Sequence, residues 1–89
     1  MIRQAFIDYT ERINRVHNLI RMQHTGNLTE LAARLHVSRR TIGNYLGELK
    51  SLGADVAYSR EKESYYYRND FMLYVSFEVR IDGEVVSQI

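Results

Sequence analysis

Residues 28–50, Leu-Thr-Glu-Leu-Ala-Ala-Arg-Leu-His-Val-Ser-Arg-Arg-Thr-Ile-Gly-Asn-Tyr-Leu-Gly-Glu-Leu-Lys, decide the fold of this chain of 89 residues. They read as a short helix, a tight turn and a second helix. Thr29 has the hydroxyl to cap the first helix, whose buried side is Leu31, Ala32 and Leu35, and Ser38 has the one to cap the second. His36 falls in the turn, where a left-handed or extended backbone is needed. Ile42, Leu46 and Leu49, four and three apart, face the core. Arg39, Arg40, Thr41, Gly43, Asn44 and Gly47 are left looking outward. A helix of about 12 residues is about 18 Å long, and it fits the major groove of DNA, about 12 Å wide.

Upstream, Ile2, Ala5, Phe6, Tyr9, Ile13, Val16 and Ile20 recur every three or four residues, which predicts one long amphipathic helix over about 3–23. Gly26 is placed to end it through a left-handed cap, while Thr10 offers a later start that would leave a separate N-terminal arm. The next helices are expected near 30–36 and 39–51, the latter closed by Gly53. From Ala54 the period becomes two. Residues 55–58 and 64–68, joined by the polar 59–64 tip, read as a β-hairpin. Phe71, Leu73, Val75, Phe77, Val79 and Ile81 alternate with polar or mixed residues, which predicts one long strand over 71–81. Asp82-Gly83 is a favourable two-residue turn into a second hairpin.

Thr29-Glu-Leu-Ala, then Leu35-x-Val-Ser-Arg-Arg-Thr-Ile42, then Leu46-Gly47 and a Tyr-rich hairpin together resemble the winged helix-turn-helix domain of DeoR-like bacterial regulators and the biotin-repressor N-terminal domain. The resemblance runs from about Arg12 to about Tyr67. It implies an α+β fold, a three-helix core with a β-hairpin wing, to which the last residues add a C-terminal strand or hairpin. It also implies sequence-specific DNA binding, with Ser38, Arg39, Arg40, Thr41 and Asn44 where such domains meet DNA. Gly43 and Gly47 depart from the pattern, each costing a helix about 1 kcal/mol relative to Ala. Tyr45 stands where the family often has an acidic residue, a departure that bears on the family's usual intradomain ion pair.

The length suits one domain, expected as a DNA-binding unit over 1–70 with a C-terminal extension over 71–89. The net charge of +1 hides an asymmetry: residues 1–60 hold nine Lys or Arg against five Asp or Glu, and residues 61–89 three against six. Phosphate neutralisation supplies much of the affinity for DNA, so this modest excess predicts weak binding by a single copy and a homodimer through the 71–81 strand or helix one. The absence of Cys excludes disulfides, thiolate metal sites and a cysteine nucleophile, and fits a reducing compartment. With no apolar run of about 18 residues, no membrane partner is expected and the chain is expected in the cytoplasm.

The candidate DNA-binding residues are Ser38, Arg39, Arg40, Thr41, Asn44 and Lys50, with Arg60 and Lys62 at the hairpin tip. The arginines can fork onto guanine or grip phosphates, and Asn44 has the donor and acceptor pair that suits adenine. Each is set against a plain solvated side chain, and at the tip Glu61 and Glu63 oppose phosphate. Tyr65, Tyr66 and Tyr67 fit sheet packing better than stacking on bases. His17, His24 and His36 lack the spacing of a metal site, and no catalytic constellation, cofactor motif or small-molecule substrate is expected. The reading is thus a repressor-type transcriptional regulator on double-stranded DNA; the competing one is a winged-helix protein-interaction module that has lost DNA.

Overall fold

A left-handed residue ends each helix in the computed structural model, which describes residues 2–75 and 78–88. The helices are α1 (Ile2–Met22), α2 (Leu28–Leu35) and α3 (Arg39–Ser51). Gln23 (φ 57°), His36 (φ 56°) and Gly53 (φ 109°) reverse the chain after them. The following N–H then reaches back five residues, from His24 to the Leu19 carbonyl (3.0 Å), Val37 to Ala32 (3.1 Å) and Ala54 to Leu49 (3.0 Å). Carbonyls that a helix end would otherwise orphan are thereby satisfied. Gln23, not Gly26, ends α1. Gly26 has its own left-handed φ of 71°, and a Cβ there would lie 2.9 Å from that of Glu30.

The cap of α2 is also a correction. Leu28 already begins the helix, so Thr29 lies inside its first turn and Asn27 takes the cap. The Asn27 Oδ1 accepts the Glu30 N–H at 2.8 Å while Glu30 Oε1 accepts the Asn27 N–H at 3.0 Å. This reciprocal box satisfies two donors at once. Ser38 caps α3 as expected, its Oγ accepting the Thr41 N–H at 3.1 Å. Thr10 starts nothing: α1 runs through it, and its hydroxyl donates to the Ile7 carbonyl at 2.8 Å.

The core joins Ile13, Val16 and Ile20 of α1 to Leu31, Ala32 and Leu35 of α2 and to Ile42, Tyr45, Leu46 and Leu49 of α3. The buried part of the α1 stripe begins beyond Ala5 and Phe6, which are exposed; the side chain of Ile2 lies outside the described residues. Tyr45 joins the core unforeseen. Its ring tilts against Tyr9 at 5.7 Å, and the Tyr9 hydroxyl donates to the Glu48 carboxylate, so α1 is tied to α3 by a polar bond beside an aromatic contact.

Strands β1 (Val56–Ser59) and β2 (Ser64–Tyr67) form the antiparallel wing, with Val56 opposite Tyr67 and Ser59 opposite Ser64. Among the described residues the wing pairs with no other strand, and side chains hold it. Ser64 and Thr25 are both buried, and Ser64 Oγ accepts the Thr25 N–H at 3.0 Å while Thr25 Oγ1 accepts the Tyr65 N–H at 2.8 Å. The two hydroxyls also bond each other at 3.1 Å. At the other end Asn69 accepts the Asp55 N–H at 3.0 Å and donates to the Gly53 carbonyl at 2.9 Å, latching the wing base to the end of α3.

The long strand expected over 71–81 is not formed. Residues 71–75 carry no ladder, Ser76 and Phe77 lie outside the described residues, and β3 covers only Glu78–Ile81. The reason is a competing partner. Phe71 and Leu73 turn half-buried onto the core, and the Leu73 N–H donates to Nε2 of His17 at 3.2 Å rather than to a strand. β3 pairs with β4 (Glu84–Gln88) through the expected turn, whose Asp82 (φ 52°) and Gly83 (φ 83°) are both left-handed.

His17, a buried residue, therefore joins three pieces of chain. Since Nε2 accepts from Leu73, Nδ1 carries the proton of the neutral ring and donates to the Tyr67 hydroxyl at 2.7 Å. Phe71 meets the imidazole edge-on at 5.7 Å. Burial lowers the His17 pKa, with the nearby Arg21 charge acting the same way, and burial raises that of Tyr67. Two predictions follow from these contacts. Thr25→Val takes away the Oγ1 acceptor of the Tyr65 N–H, while Ser64 Oγ keeps the Thr25 N–H and the Tyr65 carbonyl, and is expected to cost about 1–3 kcal/mol in urea unfolding. The unfolded chain binds a proton at His17 more readily than the folded one, so stability is full above about pH 6.5 and falls as pH drops below it toward the lowered folded value. Urea midpoints measured against pH check this, and His17→Gln should flatten that part of the profile.

Candidate nucleic-acid interface

Helix α3 divides cleanly around its circumference. At about 100° per residue, Ile42, Tyr45, Leu46 and Leu49 gather on one side, while Arg40, Gly43, Asn44 and Gly47 occupy the opposite half, with Arg39 and Lys50 at its border. The first set is buried and the second exposed. Ser38 and Thr41 lie at the entrance, where their hydroxyls bond each other at 2.9 Å, so one hydroxyl proton of the pair remains for an outside acceptor.

The electrostatics of this end run against helix stability. Arg39 and Arg40 fill the first turn of α3, which has no acidic residue. That is the positive end of the helix dipole, where cations are disfavoured by a few tenths to about 1 kcal/mol each. Among the described residues the ion pairs are Arg68 with Asp55 and Arg80 with Glu78, so neither arginine is neutralised by a carboxylate. Arg39 lies close enough to Tyr65 to oppose the rise that burial, and then Tyr58, impose on that phenol. Both guanidinium groups are therefore open to an anion from outside the chain. An anion at a helix N-terminus is the matching chemistry.

Gly43 and Gly47 form part of the same surface, and beyond their chain neighbours and the backbone of α3 itself no atom of the described residues comes within 4 Å of where a Cβ at either would lie. Nothing in the free fold requires glycine there.

The wing tip is arranged differently. Arg60 and Lys62 are exposed, but so are Glu61 and Glu63. Lys62 lines an open cleft of about 370 Å³ with Gln23, His24, Gly26, Glu30, Arg34 and Glu63, so it sides with α2 and the α1–α2 loop. The structure thus gathers Ser38, Arg39, Arg40, Thr41, Asn44 and Lys50 on one helix and sets Arg60 and Lys62 on a separate, charge-balanced turn. Tyr65 and Tyr67 are used in packing: Tyr65 stacks edge-on with Tyr58 at 4.9 Å, and Tyr67 lies 5.4 Å from His17.

Sequence reasoning missed the residues that aim the wing at all, Thr25 and Ser64. A hydroxyl in a loop and another at a strand start read as polar surface, and their polar neighbours, Gln23, His24 and Asn27 beside Thr25 and Glu61, Lys62 and Glu63 before Ser64, gave no signal of burial. Among the described residues there is no cluster of His, Asp or Glu fit to hold a metal ion, and no helix is long and apolar enough to cross a membrane.

With this geometry in place, comparison with protein families matches residues 12–68 to the helix-turn-helix family described as HTH domain. The chain belongs to that family. The three helices and following antiparallel hairpin are those of a winged helix-turn-helix, with a further C-terminal hairpin, and at this general level the protein is a DNA-binding transcription regulator. Comparisons with curated proteins and with solved structures give no match. For the glycines, Gly43→Ala and Gly47→Ala are each expected to raise the stability of the free protein by about 1 kcal/mol, read as a higher thermal midpoint, because a methyl improves helix propensity and meets nothing.

Proposed function

We propose that the protein is a sequence-specific double-stranded DNA binder that lays α3 in the major groove and regulates transcription as a repressor, by occluding a promoter. One observation carries this reading: two arginines stand at the positive end of α3 with no carboxylate partner among the described residues, on an exposed helix face that Gly43 and Gly47 keep low. In this arrangement Arg40 reaches base edges, Arg39 and Ser38 meet phosphates at the helix start, and Asn44 reads one turn further on. Thr41 and Lys50 flank the contact, and Arg60 and Lys62 add weak phosphate contacts from the wing. The glycines let the helix backbone approach the groove floor closely. We assign residues 1–70 to this DNA-binding unit and 71–89 to the extension. The likeness to DeoR-like and biotin-repressor domains in the 37–42 segment agrees with it.

The second reading, a module that binds protein alone, draws on the exposed Glu61 and Glu63 at the wing tip and the net charge of +1. Duplexes selected from a random pool provide the test. A DNA reader should recover a shared motif whose affinity falls steeply with salt, with a slope set by its phosphate contacts. Arg40→Ala should then cost about 1–3 kcal/mol and relax preference at one base pair. Recovery of no motif, with salt-insensitive or undetectable binding, would leave the protein-interaction reading standing.

A further inference from the structure

We infer that the outer edge of β3 is a self-association surface, on which two copies of this chain join β3 to β3 in antiparallel register about a two-fold axis at Val79. The inference goes beyond the DNA-binding reading and does not depend on it.

β3 and β4 form a sheet of their own, with no third strand among the described residues. A lone two-stranded ribbon is marginal in water, and this one leaves Ile81, Val85 and Val86 at 57%, 48% and 54% exposure. Its two edges are not equivalent. Across the ladder Arg80 faces Val85 and Val79 faces Ser87, so Val86 is an extra residue bulged out of β4. A bulge bends a strand and ends its pairing, which blunts that edge. The β3 edge is regular and open.

The register follows from hydrogen-bond parity and charge. Ile81 and Glu84 close the two-residue turn and exchange their bonds, so Glu78 and Arg80 direct their N–H and C=O groups to the free edge. In a symmetric pair such outward residues face outward residues of the second copy, so the axis falls on a residue. An axis at Glu78 sets Glu against Glu, and one at Arg80 sets Arg against Arg. An axis at Ile81 runs the pairing into the left-handed Asp82 and Gly83, which cannot extend a ladder. The axis at Val79 alone sets Glu78 opposite the second copy's Arg80, twice. Glu78 and Arg80 already bond each other within one strand, so the joined pairs make an alternating row of four charges. A second copy also places a second α3 on the same particle.

Sedimentation of the full chain without DNA, from a few to several hundred micromolar, tests this. A reversible dimer is expected. Arg80→Glu replaces both attractive pairs by repulsive ones and should weaken it on the order of tenfold or more, while the exchange Glu78→Arg with Arg80→Glu should restore it to within a few fold. Circular dichroism confirms that each variant is folded. A monomer at every concentration, a dimer indifferent to Arg80→Glu, or a double variant that fails to regain association would each overturn the assignment. Duplex binding by the Arg80→Glu protein is read separately, since loss of the dimer leaves α3 intact.

Discussion

The wing of this protein hangs on two buried hydroxyls. A two-stranded ribbon gains little from its own ladder, and the four residues of each wing strand bury only part of their surface on the helices. What fixes its direction is the exchange between Thr25, in the α1–α2 loop, and Ser64, at the start of β2. In an interior where water is excluded, each missing partner would cost far more than the bond gains, so the contact works chiefly by penalising any other placement. The same loop carries the Asn27–Glu30 capping box that orients α2, and α2 in turn sets the turn that delivers α3. The clasp therefore couples wing and helices through some few residues of loop.

Helix α3 shows the opposite economy. Its inner side is packed to completion, with Ile42 and Leu49 fully buried. Its outer side breaks two local rules, with arginines at the positive end of the dipole and two glycines in the interior. Natural chains keep such departures mainly where function compensates for them. Here both departures share one face of one helix, the face that the helix-turn-helix fold leaves open.

Much of this was legible in the primary structure because the governing interactions are local. The Ser38 cap, the left-handed turn at His36, the Gly53 stop, the outward half of α3 and the Asp82-Gly83 turn all depend on residues within four positions of one another. The errors arose where two plausible local signals competed. Asn27 took the cap assigned to Thr29 because the helix begins one residue before it, and Gln23 accepted a left-handed conformation that glycine would adopt more easily. The alternation over 71–81 was real, yet alternation states only which side chains share a face. It does not say what receives the backbone bonds, and for Leu73 that is the ring of a histidine 56 residues away.

Sequence by itself thus determined the helical core, the placement of its turns and the surface that α3 presents, since periodicity and capping act over a single helical turn. Only the tertiary structure decided where the wing is held, which tyrosines are consumed in packing, and why the C-terminal strand starts late. Those outcomes rest on buried hydroxyls and an imidazole meeting partners far along the chain, and a polar residue carries no sign of whether it will find a partner or water until the fold brings that partner to it.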